Sequence, residues 1–285
     1  MYKSNIAKGI CLLTEKITTL YIPRILRPFI LNTFSTIFGV NLNEVENPIS
    51  TYTSINKFFT RGLKKDCRTI DPLDTSLTSP VDGKTLIFDN FKNNTLIQAK
   101  GINFSVNDLL SHDLSSHFQD GQFITVYLSP KDCHRIFSPC DGEIIGYSYV
   151  PGALYPVRSP YIENLDGLYI KNERVTTFIQ TPFGKIALVK VAAMNVSSIS
   201  LEYDKTFNQS SDKQTSPNKT FSAPISIKKG EWISTFNLGS TIVLLLEKSM
   251  KTNFIIEQKS HLNYGQKIAT LTQIIKDHTI DRSNN

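Results

Sequence analysis

The sequence predicts an α+β fold that is mainly β, with an antiparallel β core, two-layered or barrel-like, and amphipathic helices at the N-terminus. From Leu77 onward, short β-rich runs are punctuated by Gly, Pro, Asn and Asp. No alternation of strand and helix recurs among them, which argues against a doubly wound sheet. The first 65 residues read instead as helical, so residues 1–65 form a helical layer and residues 66–285 a β-rich domain.

Within residues 1–40, Lys3, Lys8, Lys16, Arg24 and Arg27 stand against the single acid Glu15 and hold most of the chain's formal charge of +6. The same stretch carries Leu20, Tyr21, Ile25, Phe29, Ile37 and Phe38. A helix with one basic and one apolar side can lie in the headgroup region of an anionic membrane surface. Packing of that apolar side on the domain accounts for the same residues equally well. Pro23, Arg24, Arg27 and Pro28 break the run well short of the roughly 20 residues that a spanning helix needs. Nor does a compact apolar core lead to a small-residue cleavage site, so no secretory signal is expected.

Ser54 is placed to cap a helix opening at Ile55. Strands are expected at Thr85–Phe88, Gln122–Leu128, Glu143–Val150, Lys185–Val191, Ile225–Lys228, Thr241–Glu247 and Asn253–Glu257. One short helix is expected near Val106–Leu110. Residues 204–219 are almost wholly polar and should form an exposed loop.

An apolar fraction of 40% with 20% charged residues is that of a globular chain, and excludes a collagen-like repeat or a membrane-embedded bundle. Cys11, Cys67, Cys133 and Cys140 form no CxxC pair, which fits a reducing compartment. Cys133, His134 and Cys140 lie close together without a second ligand cluster, so no metal is expected. The basic residues do not interleave with aromatics along the strands, so no nucleic-acid partner is expected either.

The chemistry concentrates in three segments. Gly239-Ser240-Thr241 runs straight into the apolar stretch Ile242 to Leu246. A glycine carbonyl can be approached closely, and a buried strand behind it would hold Ser240 rigidly. Those are conditions under which a serine hydroxyl could attack the peptide bond that precedes it, although Gly-Ser before a strand is more often only a turn. There is no GxxxxGK[ST] loop and no GxSxG elbow. Upstream, Ser79-Pro80-Val81-Asp82-Gly83 offers a carboxylate, and Tyr127-Leu128-Ser129-Pro130-Lys131-Asp132-Cys133-His134-Arg135 offers an imidazole. Nucleophile, base and orienting acid are the parts of a triad, but Asp82 could equally cap a turn and His134 bond to backbone.

Taken together these segments resemble the phosphatidylserine decarboxylase family. Phe58-Phe59-Thr60-Arg61, Lys100-Gly101, Pro151-Gly152, Asn172-Glu173-Arg174, Met194-Asn195-Val196 and Lys229-Gly230-Glu231 extend the match in order. The resemblance implies a precursor that cleaves itself at Gly239-Ser240 into a β chain, residues 1–239, and an α chain, residues 240–285, which stay together as a heterodimer. It implies Asp82, His134 and Ser240 as catalytic residues, and a covalent pyruvoyl group made from Ser240 as cofactor. The ketone of that group would condense with the amine of phosphatidylserine and act as an electron sink, giving phosphatidylethanolamine and carbon dioxide. Peripheral attachment to the cytoplasmic side of the cell membrane follows from the lipid substrate.

One departure bears on mechanism. Relatives commonly carry a second histidine three residues after the first, where this chain has Phe137. Phenylalanine accepts no proton, which leaves His134 as the expected base. Ala192 and Ser197 also stand where glycine is frequent. Two other readings remain at this level: an uncut, non-catalytic lipid-binding relative, and a pyruvoyl decarboxylase of a soluble amino acid.

Overall fold

The computed structural model describes residues 13–14, 16–99, 102–157, 160–194, 198–207, 218–237 and 240–273, with the backbone alone for Ser240 and Gln273. At the N-terminus, Pro28 sits in the first turn of the helix Arg27–Phe38, where it has no hydrogen bond to lose. Gly39 ends the helix in a left-handed conformation, φ 75°, and donates its N–H to the Ser35 carbonyl over 2.8 Å. Leu31 points inward and joins Ile22, Val40, Val45, Tyr52 and Phe58 in a small core. Phe29 and Ile37 point outward, 73% and 70% exposed. The helix therefore packs one apolar side on the domain and presents another to solvent.

Arg27, expected on the basic surface, is turned inward. Its Nε donates to the Ile22 carbonyl over 2.9 Å and its Nη1 to the Ser50 carbonyl over 2.8 Å, which ties together the segments flanking the helix. The helical reading of residues 1–65 also needs correction. Between the helices Arg27–Phe38 and Ile55–Phe59 the chain makes single 3-10 turns at Leu42–Glu44 and Ile49–Thr51, because Gly39 and Pro48 interrupt any longer ladder. Ser54 does cap the second helix, accepting the Lys57 N–H over 3.2 Å.

The core is an eight-stranded antiparallel sheet in the spatial order Asn218–Ile227, Gly142–Val150, Arg174–Thr181, Gly184–Ala192, Ser240–Glu247, Gly121–Leu128, Gly83–Phe91 and His261–Leu262. Ile242 to Leu246, in its middle, are fully buried. Both faces of that strand are covered, which is why its sequence is a continuous apolar run rather than an alternating one. Cutting one such side chain back to alanine costs about 2 to 5 kcal/mol in comparable cores.

A three-stranded sheet, Ile199–Leu201, Trp232–Phe236 and Arg135–Phe137, covers one face. Lys190 Nζ in the large sheet reaches Ser234 Oγ in the small one at 3.4 Å. The large sheet ends in two edge strands, so the core is layered and not a closed barrel among the described residues.

The helix Val106–Leu110 lies where the sequence places it, capped by Ser105, whose Oγ accepts the Asp108 N–H over 3.2 Å. Residues 204–219 depart from the exposed loop expected there. Asp204 is buried and accepts from Tyr147 Oη at 3.1 Å and Lys219 Nζ at 2.6 Å. Asn218 already begins an edge strand, where polar side chains are favoured. The remainder, 208–217, lies outside the described residues.

Candidate active site

Strand register brings two of the expected residues to one end of the large sheet. Ser240 pairs with Leu128 on one side and Ala192 on the other. Lys84 pairs with Tyr127, and Tyr127 with Thr241, so Asp82 reaches the same end just before its strand begins. The intervening Gly83 admits no side chain, since a Cβ would lie 2.6 Å from the Tyr127 carbonyl oxygen. The segment carrying His134 leaves the sheet from Leu128, at that end too. Phe236 donates its N–H to the His134 carbonyl over 3.0 Å, which ties the histidine to the strand that leads toward residues 239 and 240. Gly239 lies outside the described residues, as do Lys100-Gly101 and residues 195–197.

His134 is fully buried, with its ring against Phe59 at 4.0 Å between centroids. Its Nδ1 lies 2.9 Å from the Asp132 carbonyl oxygen. A carbonyl only accepts, so Nδ1 carries the proton and Nε2 the lone pair. Nε2 is buried and has no hydrogen-bond partner among the described residues. Burial first, and the nearby Arg61 second, push the imidazole down to about 3, so the ring is neutral at physiological pH. A neutral imidazole with its lone pair held dry and unpaired is equipped to receive a proton from a nearby hydroxyl.

Asp82 is buried as well, but it does not orient His134. Arg68 holds its carboxylate through Nε at 3.0 Å and Nη2 at 2.7 Å, and the Tyr264 backbone N–H adds a bond of 2.8 Å. With its oxygens occupied, Asp82 leaves the orienting bond to the Asp132 backbone. Phe137, at the position of the family's second histidine, stacks on Tyr264 at 3.9 Å and 17°. An aromatic pair fills the space beside Asp82 where the resemblance implies an imidazole.

Sequence reasoning assigned no role to Asp132, Arg61, Arg68 or His261. Asp132 Oδ2 accepts from the Ser129 N–H at 2.8 Å and the Ser129 hydroxyl at 2.6 Å, closing the turn that presents His134. The Ser-x-x-Asp spacing was the available signal for that turn. Its other oxygen, Oδ1, lies 2.9 Å from His261 Nε2. Asp82, Asp132, Arg61, Arg68 and His261 line a cavity of about 250 Å³. Burial pushes the Cys133 thiol up to about 11 and the Cys140 thiol up to about 12, so neither is a thiolate near neutral pH.

The profile of the phosphatidylserine decarboxylase family matches residues 55–270, which include Asp82, His134 and Ser240. A phosphatidylserine decarboxylase proenzyme from Brevibacillus brevis is 39% identical over 82% of this chain and 84% of its own length. One from Myxococcus xanthus is 33% identical over 90% and 91%, and one from Pseudoalteromonas atlantica is 39% identical over 83% and 85%. The chain belongs to the phosphatidylserine decarboxylase family.

Proposed function

We propose that this chain is the precursor of a pyruvoyl-dependent phosphatidylserine decarboxylase that cleaves itself between Gly239 and Ser240. The observation that carries this reading is the buried, unpartnered Nε2 of His134, on a segment that leaves the sheet beside Ser240. In self-cleavage, Nε2 takes the Ser240 hydroxyl proton while the oxygen attacks the Gly239 carbonyl carbon. The peptide C–N bond breaks as a C–O ester bond forms. Loss of the Ser240 α-proton then expels the Gly239 carboxylate. One water hydrolyses the resulting enamine, in its imine form, and ammonia leaves, so that the α chain begins with a pyruvoyl group.

Once formed, that group would supply a ketone able to receive the electron pair of the Cα–carboxylate bond as carbon dioxide departs. His134, whose tautomer is fixed by Asp132, is the proposed relay of the proton that replaces the carboxylate: its Nε2 lone pair takes a proton released by the substrate's ammonium group and returns it to the carbon that lost carbon dioxide. Phe59 and the surrounding core keep bulk water from that proton. Phosphatidylserine and protons are consumed, and phosphatidylethanolamine and carbon dioxide are released.

Denaturing mass spectrometry tests the reading directly. Two fragments are expected, the smaller blocked at its N-terminus, together with turnover of phosphatidylserine but not of free serine. A single unmodified chain of 32.1 kDa would instead favour the lipid-binding alternative, with Phe137 and Tyr264 closing the processing site. Turnover of free serine would favour the soluble-substrate alternative.

Membrane contact is assigned to the outer side of the N-terminal layer, where Leu20, Tyr21, Ile25 and Phe29 are exposed beside Lys16 and Arg24. Among the described residues no helix is long and apolar enough to cross a membrane. On the strength of that exposed apolar and basic surface, the reading takes attachment to be peripheral, at the cytoplasmic face of the cell membrane. Changing Ile25 and Phe29 together to Asp should lower sedimentation with anionic vesicles at least fivefold and leave self-cleavage intact. Undiminished sedimentation would remove this surface from the account.

A further inference from the structure

A second cavity, of about 510 Å³, opens between the helix Ile55–Phe59 and the small sheet, and its wall includes Asn237, three residues before Ser240. Three residues span at most about 10 Å, so the cavity lies within reach of the scissile segment. The helix is fixed to that segment, since Asn56 Nδ2 donates to the Asn237 carbonyl over 3.0 Å.

The cavity is lined by three cations, Lys57, Arg61 and Arg135, and one carboxylate, Glu202. Lys205 already pairs with Glu202. Glu46, 48% exposed, lies 3.7 Å from Arg135. Lys57 is exposed and pairs with no carboxylate among the described residues. The Arg135 guanidinium lies over the Trp232 ring at 4.1 Å, and its buried Nε has no hydrogen-bond partner among the described residues.

Arg61 is the decisive residue. It is 2% exposed, its guanidinium hydrogen-bonds only to backbone carbonyls, of Phe59, Lys131 and Asp132, and lies over the Phe58 ring at 5.3 Å, while its Nε has no hydrogen-bond partner among the described residues. A buried arginine can be purely structural, as Arg174 shows, for each of that residue's three nitrogens has a partner. Arg61 lacks both that completeness and a carboxylate, and a buried cation in that state calls for an anion. It lines this cavity and the one holding Asp82 and Asp132, and it shares the Asp132 carbonyl with His134.

We infer that this cavity is an anion subsite that holds the phosphodiester of the lipid headgroup, with Arg61, Arg135 and Lys57 as its cations. The inference rests on the decarboxylase reading. The phosphodiester is the same in substrate and product, so the subsite contributes uniform binding and acts on KM rather than on kcat.

The test uses the mature protein and its Lys57→Gln and Arg135→Gln variants with a soluble short-chain phosphatidylserine, and calorimetry with glycerophosphoserine and inorganic phosphate. Each variant should raise KM about tenfold with kcat held within about threefold, and weaken glycerophosphoserine binding by a similar factor. Arg135→Lys should recover part of the loss. Unchanged KM and unchanged binding in both variants would overturn the subsite. Inorganic phosphate binding as tightly as glycerophosphoserine would overturn the headgroup assignment in favour of a free-anion site. Calorimetry needs no turnover. Charge-dependent binding in a chain that never decarboxylates would sustain the subsite while sinking the reading of function.

Discussion

His134→Asn protein is expected to remain one chain of 32.1 kDa, whereas the unaltered sequence yields residues 1–239 and 240–285 as separate pieces. The substitution is chosen because asparagine Nδ2 can take the place of Nδ1 toward the Asp132 carbonyl, while no atom replaces the lone pair at Nε2. Loss of a positioned base slows a proton transfer by roughly 100-fold to 10,000-fold, and Phe137 offers no substitute. Cleavage of the variant at the unaltered rate, read by denaturing mass spectrometry over hours, would remove His134 from the chemistry. The same residue sets a pH dependence. In the folded state its imidazole sits at about 3, against about 6.5 unfolded, so between these values the unfolded chain binds more protons and stability rises with pH. That contribution is complete above about pH 6.5 and is lost at about 1 kcal/mol per pH unit as the pH falls toward 3. The Asn variant should lack it, so its unfolding midpoint in urea should fall less steeply below pH 6.5.

What the sequence reveals and conceals of this fold follows from the range of the interactions. The strand from Ser240 to Glu247 is legible because burial on both faces demands apolar residues at every position from Ile242 to Leu246. The cap at Ser54 is legible because it bonds only three residues ahead. Arg174–Thr181 is a central strand that escapes notice. It opens with a charged residue and carries Thr176 and Thr177 in the interior, and what makes Arg174 tolerable there is the Leu109 carbonyl, 65 residues earlier. The site divides in the same way. Asp82, His134 and Ser240 can be named from their motifs. The tautomer of His134 depends on a backbone carbonyl, the engagement of Asp82 on Arg68 and Tyr264, and the second partner of Asp132 on His261, 129 residues away. Main-chain acceptors and long-range ion pairs leave no periodic trace in a sequence. Arg27 makes the same point in reverse, being a basic residue whose guanidinium is spent on the interior.

Asp82→Asn is expected to lose about 3 kcal/mol of stability and to slow self-cleavage at least tenfold. Arg68 and Asp82 have side chains only 10% and 2% exposed, so removing one charge strands the other where water compensates poorly. The loss should sit near the low end for buried pairs because Arg68 keeps Glu44 at 2.9 Å. Stability alone would not implicate Asp82 in chemistry. When His134 takes a proton, a second cation arises beside Arg61, and burial opposes it. The negative charge of Asp82 is felt at Arg61, the cation that opposes a charge on His134, so its loss leaves that opposition less compensated as the imidazole takes its proton. The double change Arg68→Met with Asp82→Leu separates the two roles, because exchanging a buried ion pair for apolar groups of similar size is often neutral. Urea midpoints measured on a Ser240→Ala background, where no cleavage intervenes, should show the double variant recovering most of the loss. With Ser240 restored it should still cleave slowly. A double variant that folds and cleaves at the normal rate would reduce Asp82 to a structural partner of Arg68 and leave His134 and Ser240 to carry the reaction without it.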